Sequence, residues 1–71
     1  MKLDNRGLEP PQPMMRTLEA LEELEDTSTL LIINDRQPMF LYPELEERGY
    51  THESEPLEDG SWQITIRKET G

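Results

Sequence analysis

The sequence predicts an α/β (α+β) two-layer sandwich of order βαβαββ, a mixed four-stranded sheet with two helices on one face. Three observations lead there. Segments with helical and strand spacing alternate along the chain. One short run, Leu30-Leu31-Ile32-Ile33, is apolar at both parities, as a central strand is. The chain then closes on two strand-like segments joined through Asp59-Gly60, a hairpin signal. Helices that follow strands place both on one side of a single sheet. At 71 residues the chain is read as one domain spanning 1–71, with a thin core.

Lys2-Leu3-Asp4 reads as a short edge strand. Asn5-Arg6-Gly7 reads as a turn, with Gly7 free to take positive φ. Three prolines in Leu8-Glu9-Pro10-Pro11-Gln12-Pro13 forbid a helix interior but suit a first turn. A helix is expected from Pro11 or Pro13 to about Glu25. Met14, Leu18, Leu21 and Leu24 form its buried stripe, and Glu19, Glu22 and Glu23 its wet side. Asp26-Thr27-Ser28 is a loop. The strand Thr29 to Asn34 sends Leu30 and Ile32 to one face and Leu31 and Ile33 to the other. Two helices cover one face, so an apolar patch is expected at Leu31 and Ile33. Asn34-Asp35-Arg36-Gln37-Pro38 leads to a second helix over Leu41 to Arg48, with Phe40, Leu41 and Leu45 as its expected core contacts, Pro43 in its first turn and Gly49 as its left-handed cap. Tyr50 to Glu55 is an edge strand. Ser61 to Arg67 is the cleanest strand, with Trp62, Ile64 and Ile66 pointing inward.

Composition removes several function classes. Seven basic residues against sixteen acidic ones give a net charge of −9, and mean hydropathy is −0.85. Phosphate neutralisation needs clustered Lys and Arg, so neither nucleic acid nor an anionic membrane surface is expected as a partner. The chain has no cysteine, hence no disulfide, thiolate metal site or cysteine nucleophile. The longest apolar run is far below a membrane span, and the first residues do not form a signal peptide. The expectation is a soluble cytoplasmic protein.

The segment Leu3-Asp4-Asn5-Arg6-Gly7-Leu8-Glu9-Pro10-Pro11-Gln12-Pro13 resembles the opening of the TusA-like (SirA-like) sulfur-carrier family. That opening reads Leu-Asp, two variable residues, Gly-Leu, one residue, then Cys-Pro-x-Pro. The resemblance covers nearly the whole chain and implies the same βαβαββ fold. The family's sulfur-carrying cysteine would fall on Pro10, which has neither sulfur nor amide hydrogen. Covalent carriage of a cysteine persulfide is therefore excluded. The second half, through Asn34-Asp35-Arg36-Gln37-Pro38, Leu41-Tyr42 and Leu45-Glu46-Glu47-Arg48-Gly49-Tyr50, resembles the cysteine-lacking branch catalogued as a domain of unknown function. In that branch a histidine is common where Arg36 stands and an acidic residue where Gln37 stands. The resemblance thus implies that a metal or proton-transfer group has been lost here. Similar domains are found with hemerythrin-like and denitrification-related proteins.

The candidate site is the loop Arg6, Gly7, Leu8, Glu9, Pro10, Pro11 and Pro13, with Asp35 and Arg36 facing it. Such a loop presents helix amides and arginines to an anion or partner. It equally suits a rigid strand-to-helix connection whose arginines pair with Asp4, Asp35 or Glu9. His52 has Glu53 and Glu55 nearby, but these belong on the opposite face of a regular strand. No EF-hand spacing, Walker loop or zinc-helix motif is present. No catalytic residue, metal or cofactor is assigned.

The expected function is a non-catalytic interaction or adaptor domain that docks a protein partner, with a homodimer through the open sheet face as a further expectation. Two alternatives remain open. One is a ligand- or metal-binding module in a redox or nitrogen-oxide pathway. The other is an accessory part of a sulfur relay without covalent sulfur carriage.

Overall fold

The computed structural model describes residues 1–25 and 28–68. Its elements are β1 (Lys2–Asp4), α1 (Gln12–Glu22), β2 (Thr29–Asn34), α2 (Leu41–Glu47), β3 (Tyr50–Pro56) and β4 (Trp62–Lys68). The sheet order is β1-β2-β4-β3. Strands β1 and β2 run parallel, while β4 is antiparallel to both β2 and β3. The expected βαβαββ mixed sheet is thus the observed one.

Register explains the core. Leu30 stands opposite Ile66, and Ile32 opposite Ile64 and Leu3, so these side chains share the helix-facing side. Leu21 of α1 and Leu41 and Leu45 of α2 close on them, with Met14, Leu18, Tyr42 and Trp62 at the margin. Burying each such aliphatic side chain contributes about 1.5–3 kcal/mol. The opposite face carries Leu31 and Ile33 among Lys2, Asp4, Gln63 and Thr65. Ile33 is buried and Leu31 half-buried, so the expected apolar patch is narrow.

Helix α1 ends at Glu22 rather than near Glu25. The amides of Glu23 and Leu24 bond three residues back, to the carbonyls of Ala20 and Leu21 at 3.2 Å each. This tightened turn ends the helix while Leu24 still packs on the core. Of the loop expected to follow, Asp26 and Thr27 lie outside the described residues. Helix α2 has Pro43 in its first turn and stops at Glu47, with Arg48 as its cap and Gly49 at φ +83°. The last hairpin is offset by one residue from expectation. Pro56 is the last residue of β3, opposite Trp62, and Ser61 belongs to the turn, its carbonyl accepting the Leu57 amide at 2.8 Å.

Candidate functional site

The carboxyl ends of β1 and β2 lie side by side, and each strand runs into a loop before its helix. In open α/β sheets the crevice outside the carboxyl ends of the strands is where ligands sit. A cleft of about 440 Å3 opens there, lined by both loops and the lead-in to α2. Leu8, Pro10, Pro13, Pro38 and Phe40 supply apolar walls. Asn5, Glu9, Asn34, Asp35, Arg36 and Gln37 supply the polar groups. This volume is within the range of small-molecule sites.

A buried polar knot holds the two loops together. Asn5 directly follows β1 and is 1% exposed. Its Nδ2 group is shared among Asn34 Oδ1 at 3.1 Å, Thr17 Oγ1 at 3.2 Å and the Pro13 carbonyl at 3.4 Å. Thr17 commits its hydroxyl proton to the Pro13 carbonyl at 2.8 Å, so its oxygen accepts from Asn5. That fixes the orientation of the Asn5 amide, and through it the orientation of Asn34. The Asn5 amide also donates to the Ile33 carbonyl at 2.8 Å, extending the parallel pairing by one residue. Asn5 Oδ1 is buried without a partner among the described residues. Outside the knot, the Gly7 amide donates to Asp35 Oδ2 at 2.7 Å. This ties the first loop to the second, and the φ of +82° at Gly7 permits the turn.

The start of α1 offers few donors. Pro10, Pro11 and Pro13 have no amide hydrogen, and the Pro10–Pro11 bond is cis. The Gln12 amide donates to the Glu9 carbonyl at 2.9 Å, and that of Met15 to the Pro11 carbonyl at 3.0 Å. The free amides that usually make a helix N-terminus attractive to anions are therefore almost absent.

The sequence pattern of the family described as "Uncharacterized conserved protein (DUF2249)" matches residues 2–68. The chain belongs to this family. Among solved structures, this DUF2249 domain is similar to a SirA-like protein from Desulfitobacterium hafniense. The TM-score is 0.82 at 28% identity, covering 93% of this chain and 95% of that one. The SirA-like resemblance read from the opening motif is thus supported over the whole fold. No curated protein matches the chain.

Within the DUF2249 domain, the candidate residues divide. Leu8, Glu9, Pro10, Pro13, Asp35 and Arg36 line the cleft; Arg6, Gly7 and Pro11 do not. Arg6 turns away to Asp4 at 2.8 Å and Asp59 at 3.3 Å. Arg16 donates to the Asp4 carbonyl at 3.3 Å. Arg6 and Arg16 therefore meet at Asp4, while Arg36 stands apart in the cleft. The Arg6 side chain, hydrogen bonded to Asp4, holds that carboxyl down to about 2. Asp4 in turn pushes the Arg6 guanidinium above its ordinary value. Asp59 is lowered chiefly by its hydrogen bond from Ser61. His52 faces the helix layer, stacked on Tyr42 with centroids 4.3 Å apart and planes 3° apart. Glu53 and Glu55 are on the opposite face, and Tyr42 instead meets Ser54 at 2.5 Å.

Asn34 opens the turn that the sequence sets facing the first loop, whereas Asn5 and Thr17 are not expected from the sequence as site residues. One signal is available: an asparagine stands at the exit of each strand that feeds a helix, Asn5 just after β1 and Asn34 as the last residue of β2. Among the described residues no three His, Asp or Glu side chains gather as a metal site, and no helix is long and apolar enough to cross a membrane.

Proposed function

We propose that this DUF2249 domain is a non-catalytic docking module whose contact surface is the cleft end of the molecule. The observation that carries this is where three of the four exposed large apolar side chains among the described residues sit; the fourth, Met1, precedes β1. Met15 lies in the first turn of α1, and Met39 and Phe40 lead into α2. Phe40, expected in the core, precedes the regular helix and is instead 54% exposed, forming a wall of the cleft. On a chain with net charge −9, such residues gathered at two neighbouring helix starts suit a partner's apolar contact. Methionines adapt to irregular surfaces, which favours protein contact. The cleft lining contains no hydroxyl, thiol, imidazole or amine side chain. That donor set supports binding rather than nucleophilic chemistry.

The test is photo-crosslinking in the native host, with a benzophenone residue placed at Met39. One polypeptide should be captured. Phe40→Glu or Arg36→Glu should abolish that adduct while leaving Tm nearly unchanged, because both side chains are exposed. Capture that is indifferent to both substitutions would sink the docking surface.

A further inference from the structure

The cleft also holds a set of free polar groups that the docking reading does not use. Asn34 is 7% exposed and lines the cleft. Its Oδ1 is engaged by Asn5, which leaves Nδ2 as the end of the amide facing away from the knot. That Nδ2 finds no acceptor among the described residues, so two hydrogens on a rigidly held, nearly buried group await one. Two positions on, the Arg36 guanidinium lines the same cleft and pairs with no charged group among the described residues. These two donors call for an oxygen acceptor, and guanidinium matches carboxylate best.

A simple anion fits poorly. Glu9 and Asp35 line the cleft, the chain carries −9, and the start of α1 withholds its amides. The Glu9 carboxylate likewise has no ionic partner among the described residues. It and Arg36 flank one cleft without pairing with each other. Opposite charges that do not pair with each other, in a cleft that also has apolar walls, match a ligand that bears both charges and an apolar body.

We propose that the cleft binds a free α-amino acid with an apolar side chain. Its carboxylate is held by Arg36 and Asn34 Nδ2 and its ammonium by Glu9, with the side chain set against Leu8, Pro10, Pro13, Pro38 and Phe40. The ligand is neutral overall, so the acidic domain does not repel it. This reading goes beyond docking and stands without it, since the ligand needs no partner chain.

The experiment is a titration of the whole 15N-labelled chain with three probes: L-leucine, N-acetyl-L-leucine, which lacks the ammonium, and L-leucinamide, which lacks the carboxylate. L-leucine should move the Asn34 side-chain amide signals and bind with a Kd on the order of 1 mM or tighter. Each of the other probes should bind about tenfold more weakly. Arg36→Gln should weaken L-leucine and N-acetyl-L-leucine by about tenfold and leave L-leucinamide unchanged. Glu9→Gln should do the reverse, weakening L-leucine and L-leucinamide only. Both side chains are exposed, so both variants should fold. Equal affinity for the three probes, or no movement of the Asn34 signals at saturating L-leucine, overturns the proposal. A failed crosslink to a partner would leave it standing.

Discussion

Asn5 connects three parts of the molecule through one side chain: the end of β1, the start of α1 and the end of β2. Removing it strands Asn34 Oδ1 and loosens Thr17, both in buried surroundings. Leaving a buried polar group unsatisfied costs roughly 1–3 kcal/mol. Asn5→Ala should therefore destabilise by about 2 kcal/mol, seen as a Tm drop of roughly 10 °C. Asp4 offers a second prediction at this scale. Its carboxyl in the folded chain is lowered to about 2 by Arg6, below its unfolded value. Such a group stabilises the fold fully above the unfolded value and loses that contribution as pH falls through about 2. In an NMR pH titration of Arg6→Gln, the Asp4 carboxyl should return toward the ordinary carboxylate range. The exposure of this pair keeps its effect on stability small. The sequence made Arg6–Asp4 pairing legible, because the two residues share one turn. It did not disclose the Asn5 knot: Asn5-Arg6-Gly7 reads locally as a turn, and the partners in Thr17 and Asn34 lie 12 and 29 residues away.

The strands differ in how firmly they are held. Strand β4 is paired on both sides along its length and places Ile64 and Ile66 in the core. Ile64→Ala should cost about 3 kcal/mol through the cavity it leaves, measurable by urea denaturation. Strand β1 has three residues and one neighbour. Its amide protons should exchange with solvent well before those of β4 in a native-state hydrogen-exchange experiment. At the end of α2, Gly49 sits at φ +83° with open space where a Cβ would go. Gly49→Ala should cost about 1 kcal/mol from backbone conformation alone. Alternation and leucine spacing made β4, α1 and the Gly49 cap readable. Their ends moved by one to three residues because turns, not periodicity, set them. The Ser61 carbonyl closes the last hairpin, and short three-residue bonds finish α1.

Across the whole molecule, like charge is the dominant electrostatic fact. Sixteen acidic residues face seven basic ones on 71 residues, and the ion pairs between Arg6, Asp4 and Asp59 are exposed. Screening weakens both the pairs and the general repulsion, but the repulsion is the larger sum. Raising sodium chloride from roughly 10 to 300 mM should therefore raise Tm, as followed by circular dichroism. A flat or falling Tm would mean the local pairs outweigh the excess charge. The fold as a whole was legible because the alternation of helix and strand spacing leaves few topologies. The cleft was legible only as two loops. Its depth comes from β1 and β2 lying in parallel, a pairing between segments 29 residues apart.

The prolines at the start of α1 have a consequence for competition. Phosphate and sulfate are abundant wherever proteins work, and a bare helix start collects them. Here that start is filtered by its own covalent structure: Pro10, Pro11 and Pro13 have no hydrogen to give, and the Gln12 and Met15 amides are already bonded. Whatever occupies the cleft does so without first displacing an inorganic ion. Its apparent affinity should hold steady when chloride buffers are exchanged for phosphate at equal ionic strength.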